Sequence, residues 1–177
     1  IQYEIVSSGE KASNLTAEER AGYTFTFWSE NPNADPQDVS EAFDFNTPIT
    51  ETITLYATWR AEKVGYQLVY WVEKENYHGD PGMDSGNYMF SASKTFSAAS
   101  SELYAGSYLS AKDVEGLAEK NYSQFGNDSN KDLKYSEFSF AKETALRGDG
   151  TTVVNVYYKR IVFTLQYKLG DSGASIV

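Results

Sequence analysis

The sequence predicts a β-rich α+β chain built from two small modules in tandem, and three observations carry that prediction. The first is composition. Among 177 residues, 14 are Tyr and 10 are Phe, and together with many Thr and Ser they favour half-buried strands over long helices. The second is the stretch Gly148-Asp149-Gly150-Thr151-Thr152-Val153-Val154-Asn155-Val156-Tyr157-Tyr158-Lys159-Arg160. Asp149-Gly150 is a hairpin signal, because glycine accepts the positive φ that tight turns demand. Beyond the turn the residues alternate, with Val154, Val156 and Tyr158 on one face and Val153, Asn155 and Tyr157 on the other. The third is an earlier copy of that logic. In Thr52–Arg60, Ile53, Leu55, Ala57 and Trp59 alternate with Thr52, Thr54, Tyr56 and Thr58, and laying 55–60 on 154–159 matches apolar, aromatic and basic positions. A short join and a fresh strand come after each stretch, Tyr66–Trp71 and Phe163–Tyr167. The two stretches read as closing strands of successive modules, 1–61 and 62–160, with 161–177 starting a third module or forming a tail.

In the first module, Tyr3 and Ile5 alternate with Gln2, Glu4 and Val6 as a strand, and Ser7-Ser8-Gly9-Glu10 follows as a turn. Thr16-Ala17-Glu18-Glu19 has capping-box spacing, yet Gly22 limits any helix there to one or two turns. Tyr23, Phe25 and Phe27 alternate with Thr24, Thr26 and Trp28 as a strand with one apolar face. Asp35-Pro36, then Asp38, Val39, Ala42 and Phe43, reads as a short capped helix ended by Thr47-Pro48. Periodicity alone leaves a small α+β or all-β module open.

Gly22-Tyr23-Thr24-Phe25-Thr26-Phe27-Trp28, then Phe43-Asp44-Phe45-Asn46-Thr47-Pro48-Ile49-Thr50, then Ile53-Thr54-Leu55-Tyr56-Ala57-Thr58-Trp59 resembles the Listeria-Bacteroides repeat, the B-repeat type of internalins. The resemblance implies a small β-grasp (ubiquitin-like) fold, a mixed sheet crossed by one short helix, found in tandem on bacterial surface proteins. This chain departs from the pattern at Phe27, where the family usually has Gly.

Residues 60–65 form a join too short to be a flexible tether, which places the modules close together. The second module offers strand Tyr66–Val72, turns at Asp80-Pro81-Gly82 and Ser85-Gly86, and strand Tyr88–Phe96. A helix comes next, from Ser110 to Lys120, with a capping Ser, early acids and a terminal Lys as a helix dipole favours. Val114, Leu117 and Ala118 form its buried stripe, and Gly116 weakens it. An Asn/Asp/Ser loop at 121–132 leads to strand Tyr135–Ala141 and the Gly148 turn. Through Gly148–Arg160 this module resembles the mucin-binding-protein repeats of bacterial surface proteins. Its order of strand, strand, helix, strand, strand is what a β-grasp needs.

A net charge of −10 disfavours nucleic acid and anionic membranes as partners, since both recruit clustered Lys and Arg. With no cysteine, disulfides, thiolate metal sites and cysteine nucleophiles are excluded. No run approaches the ~18–20 apolar residues that cross a bilayer. The chain opens on a strand and stops soon after another begins, which reads as an internal piece of a longer protein. A monomeric segment of that longer chain is the expected state.

Candidate chemistry is sparse. The one histidine, His78 in Tyr77-His78-Gly79-Asp80, sits in a turn-rich loop with no nucleophile motif tied to it. Zinc therefore lacks ligands. Asp128-Ser129-Asn130-Lys131-Asp132 starts like a calcium loop, but has Leu133 where the turn glycine belongs and Ser139 where the closing acid belongs. Glu75, Asp80 and Asp84 read as a solvated rim. No cofactor and no catalytic residue is expected. The aromatics are the remaining candidates: Trp28 and Trp59 as core, and Tyr56, Tyr157, Trp71 and Tyr77 as partner-binding side chains, by stacking on sugars or on protein. The sequence thus points to a non-catalytic extracellular stalk or adhesin module of a bacterial surface or cell-wall protein. The alternative is a module that itself binds host glycan or glycoprotein such as mucin.

Overall fold

Residues 2–75, 81–123, 131–169 and 174–175 are described by the computed structural model. Its chain forms two compact units, each discontinuous in sequence: Ile1–Gln67 with Lys94–Leu109 and Glu143–Val154, and Leu68–Ser93 with Ser110–Lys142 and Asn155–Val177.

In the first unit, β1 (Tyr23–Ser29) pairs antiparallel with β2 (Tyr56–Ala61) in a sheet of their own. Phe25 lies opposite Trp59, but Phe27 lies opposite Thr58, so Thr26 is an extra residue. Such a bulge reverses the two-residue alternation beyond it. Trp28 consequently shares a face with Phe25 and Trp59 and not with Thr24 and Thr26, correcting the strict alternation expected from the sequence. The Phe25 ring is 5.5 Å from Trp28 and 5.7 Å from Trp59. Phe27 turns to the other face with Thr58, which is buried and whose carbonyl accepts from the Thr26 hydroxyl at 2.9 Å.

Three expected elements of this segment do not form, each for a local reason. Residues 2–6 make no strand: Tyr3 and Ile5 are exposed, and the Glu4 carboxylate accepts from the backbone N–H and hydroxyl of Ser13 at 3.0 and 2.7 Å. No helix forms at 16–20, where the Leu15 carbonyl takes the Trp28 indole N–H at 2.5 Å and the chain turns from Arg20 to Tyr23. The helix expected after Asp35-Pro36 shrinks to a 3₁₀ turn, Val39–Glu41, capped by Asp38. Asp35 instead accepts from Gln37 N at 2.9 Å, and Phe43 N donates to the Trp28 carbonyl at 2.7 Å, leaving the helical path.

A main-chain seam joins the three stretches of this unit. Glu62 N donates to Gly22 O at 2.8 Å, and Ala105 N donates to Glu62 O at 3.0 Å. Gly106 N donates to Leu146 O and Leu146 N to Ser107 O, both at 2.9 Å, leading into β5 (Tyr108–Leu109) paired with β7 (Thr144–Ala145). Gly22 and Gly148 meet backbone to backbone: a Cβ on Gly148 would overlap the Ala21 carbonyl, and one on Gly22 would overlap the Gly148 Cα. Val64, Tyr66, Ala105, Leu109 and Leu146 are buried here.

A four-stranded sheet is drawn from residues 66–160 in the order β4 (Tyr88–Phe96), β3 (Tyr66–Glu73), β8 (Thr152–Arg160), β6 (Ser136–Ala141). In the second unit, α1 (Ala111–Tyr122) begins at a capping box in which Ser110 Oγ accepts from Asp113 N and the Asp113 carboxylate accepts from Ser110 N at 2.9 Å. Hydrogen bonds from Ser110 hold the Asp113 carboxyl below its ordinary range. Val114 and Ala118 are buried, and the buried Tyr70 hydroxyl donates to the Ala118 carbonyl at 2.9 Å. Tyr158 stacks on Tyr122 at 5.3 Å and meets the edge of Phe138 at 6.0 Å. The Tyr122 hydroxyl donates to the carbonyl of Leu133 in the short α2 (Lys131–Lys134). The strand expected at Phe163–Tyr167 is not formed; residues 161–167 are exposed, and the pairing comes afterwards, between β9 (Lys168–Leu169) and β10 (Ala174–Ser175). The whole is a β-rich α+β chain in which α1 is the one helix longer than a single turn among the described residues.

Gly116 sits on the exposed side of α1, and a Cβ there would meet no atom within 4 Å. Gly116→Ala is therefore expected to raise stability by about 1 kcal/mol through backbone entropy and helix propensity. Urea unfolding should show a higher midpoint at an unchanged slope.

Candidate functional site: an aromatic sheet face

Period-two alternation sends Leu68, Tyr70 and Val72 of β3 to one face and Val69, Trp71 and Glu73 to the other, with Tyr157 of β8 on the latter. The sequence places Tyr157 opposite the core. The structure buries it to 5% exposure in an aromatic cluster of its own. Phe140 stacks on it at 4.3 Å and 5°, Tyr88 meets it edge-on at 5.1 Å, and Trp71 lies near-parallel at 6.2 Å.

A second register slip puts Phe140 there. Along the antiparallel β6–β8 pair, Phe138 is opposite Tyr158 but Phe140 is opposite Tyr157, leaving Ser139 as the extra residue. Strict alternation would set both phenylalanines on one face. The bulge separates them, Phe138 to Tyr158 and Phe140 to Tyr157.

The polar edges of this face are satisfied from within. Trp71 Nε1 donates to Asn155 Oδ1 at 2.8 Å, and the Tyr88 hydroxyl donates to Gly82 O at 2.8 Å while lying 2.9 Å from Ser139 Oγ. Lys142 Nζ stands 5.6 Å from the Tyr157 ring centre. Burial, and then the neighbouring Tyr88, pushes the Tyr157 hydroxyl above the ordinary tyrosine range. Beside this floor Phe90 is 57% exposed, its edge toward Trp71 at 6.2 Å and 85°. The result is a buried aromatic floor with a half-buried indole and an exposed phenyl ring at its rim. Such a rim offers flat π surface for stacking and no reacting group.

Of the side chains singled out in the sequence, Trp71 and Tyr157 are thus brought together. Tyr56 stands apart on β2, 42% exposed and opposite Ser29. Tyr77, His78, Asp80 and Asp128–Asn130 lie outside the described residues. Tyr88 and Phe90 were findable, since they share a face of β4 by simple alternation. Phe140 was not, because its face depends on the bulge. Of the rim acids, Glu75 is 72% exposed with a carboxylate oxygen 3.9 Å from the Arg160 guanidinium, and Asp84 caps the Ser85–Asn87 turn by accepting from Gly86 N at 2.8 Å; the neighbouring Glu73 is buried and accepts from Arg160 N at 2.9 Å. A shallow cleft of about 400 Å³ lies beside Asn31, whose amide donates to Glu41 Oε2 at 3.1 Å. Among the described residues, no three His, Cys, Asp or Glu side chains are grouped to hold a metal ion. No helix among them is long and apolar enough to cross a membrane.

Residues 2–58 match the model of the Listeria-Bacteroides repeat domain. This covers about a third of the chain and includes β1, the 3₁₀ turn and the start of β2. Listeria-Bacteroides repeats are non-catalytic modules of extracellular bacterial surface proteins. The mucin-binding-like resemblance of residues 62–160 is not supported. No curated protein and no solved structure matches the chain.

The floor and the rim separate in a mutational test. Phe140→Ala should cost about 3–5 kcal/mol, as removal of a buried ring does, whereas Phe90→Ala should stay within about 0.5 kcal/mol. Urea unfolding of the two variants measures both.

Proposed function

We propose that the chain is a non-catalytic repeat segment of a bacterial cell-surface protein, serving as stalk or adhesin, with 1–61 and 62–160 as successive modules of one β-grasp-like plan and 161–177 leading into a third. The observation that carries this reading is the repeated register slip. Phe25-Thr26-Phe27 against Thr58-Trp59 and Phe138-Ser139-Phe140 against Tyr157-Tyr158 are the same device, at positions that the closing strands align. The strand order β4-β3-β8-β6, with the first and last strands of the set adjacent at the centre, also supports a β-grasp plan for the second module. The match of residues 2–58 to a surface-protein repeat supports the location. In such a segment the work is spatial: repeated modules set the distance of a binding tip from the cell.

A second reading is that the module itself contacts host glycan or glycoprotein, and the exposed Phe90 beside Trp71 favours it, since flat rings stack on sugar faces. An antibody against this chain is expected to label intact cells of the producing bacterium. Labelling only after lysis would contradict the surface role. A glycan array binds the wild type and spares Phe90→Ala under the second reading, and stays blank under the first.

A further inference from the structure

Two exposed backbone features of the chain fit one another. The first is an open sheet edge. β2 pairs with β1 alone among the described residues. In an antiparallel pair, alternate residues direct their N–H and C=O away from the partner. Because Glu62 N bonds Gly22 O, the inward positions are 62, 60 and 58, and Ala57, Trp59 and Ala61 present their backbone groups outward. None of these three carries a charge, and no proline or bulge on β2 blunts the edge, the devices by which proteins usually protect one. The slip at Thr26 lies on β1 and leaves β2 regular.

The second feature is an unpaired segment with strand chemistry. After Ile161, whose N–H donates to Tyr135 O at 2.9 Å, residues 162–167 have no hydrogen-bond partner among the described residues. Phe163 is 89% and Leu165 73% exposed. The segment alternates: Phe163, Leu165 and Tyr167 share one side, and Val162, Thr164 and Gln166 the other. β2 and its approach alternate alike, Leu55, Ala57 and Trp59 against Thr54, Tyr56 and Thr58. The face it would extend, Phe25, Trp28 and Trp59, is only half-buried. Neither partner brings a like charge to the contact, since 161–167 is uncharged.

We infer that residues 162–167 of one copy add as an edge strand to β2 of a second copy, with Phe163 and Leu165 continuing the Phe25–Trp28–Trp59 face. Backbone hydrogen bonds to the outward groups of Ala57, Trp59 and Ala61 give the affinity, and the apolar side of the segment gives the register. Donor and acceptor surfaces differ, so the contact is head-to-tail and each copy can give one strand and take another. This departs from the monomeric state expected from the sequence, and it does not depend on where the protein resides. The other exposed strand-like segment, 2–6, is the poorer occupant because Glu4 is tied to Ser13 and brings a charge.

Sedimentation velocity of the intact chain over a concentration series tests the inference. The weight-average mass should grow with concentration, Leu165→Asp should abolish that growth, and Ile5→Asp should leave it intact. Ala57→Pro, which removes one outward N–H and no bond to β1, should also abolish it. Leu165 lies outside every strand, so its variant keeps the fold, checked by an unchanged far-UV spectrum. A monomer at every concentration, growth that survives Leu165→Asp, or growth lost in Ile5→Asp and kept in Leu165→Asp would each overturn the assignment.

Discussion

Two extra residues decide which aromatic rings of this protein share a face. A β-strand has a period of two, so one inserted residue sends everything beyond it to the opposite side of the sheet. Thr26 does this in β1, moving Trp28 onto the Phe25–Trp59 face. Ser139 does it in β6, sending Phe140 to Tyr157 while Phe138 stays with Tyr158. Each slip provides an apolar ring for both sides of its strand pair. Thr58 and Tyr157, at equivalent places in the two closing strands, are buried in consequence. The small residue at each bulge carries a hydroxyl that hydrogen-bonds locally, Thr26 to the Thr58 carbonyl and Ser139 with the Tyr88 hydroxyl.

Main-chain hydrogen bonds join the separate stretches of the first unit. The bonds from Gly22 to Glu62 to Ala105, and from Gly106 to Leu146 to Ser107, tie segments far apart in sequence. Their approach depends on glycine at 22 and 148, where any Cβ would overlap backbone that cannot rotate away. Next to β1 and β2, Glu62 and Val64 are bonded to Ala105 and Leu103, and Ala21–Gly22 meets Gly148. The cost of the arrangement is an open edge on β2, which the same chain can cover with a strand from another copy.

How much of this was legible in the sequence depends on the range of the interactions involved. Strands Tyr66–Val72, Tyr88–Phe96 and the closing strand after Gly148, and the Ser110-capped helix, were readable because alternation, turn chemistry and the capping box act over a few residues. The Asp35-Pro36 helix and the 2–6 strand were misread because tertiary partners prevailed: Trp28 O captures Phe43 N, and Ser13 captures Glu4. The alignment of the two closing strands was visible, but the bulges opposite them were not, since both Phe-Thr-Phe and Phe-Ser-Phe read as regular strand. For the same reason Tyr157 looked solvent-facing and Phe140 escaped notice. The glycine contact of 22 with 148 leaves no periodic trace at all.

The direct test of the shared plan is the cross-strand register in solution, read from backbone nuclear Overhauser contacts in the labelled protein. The account predicts Phe25 opposite Trp59 with Phe27 opposite Thr58, and Phe138 opposite Tyr158 with Phe140 opposite Tyr157. A regular ladder in either pair, with Phe27 opposite Ala57 or Phe140 opposite Val156, would contradict it.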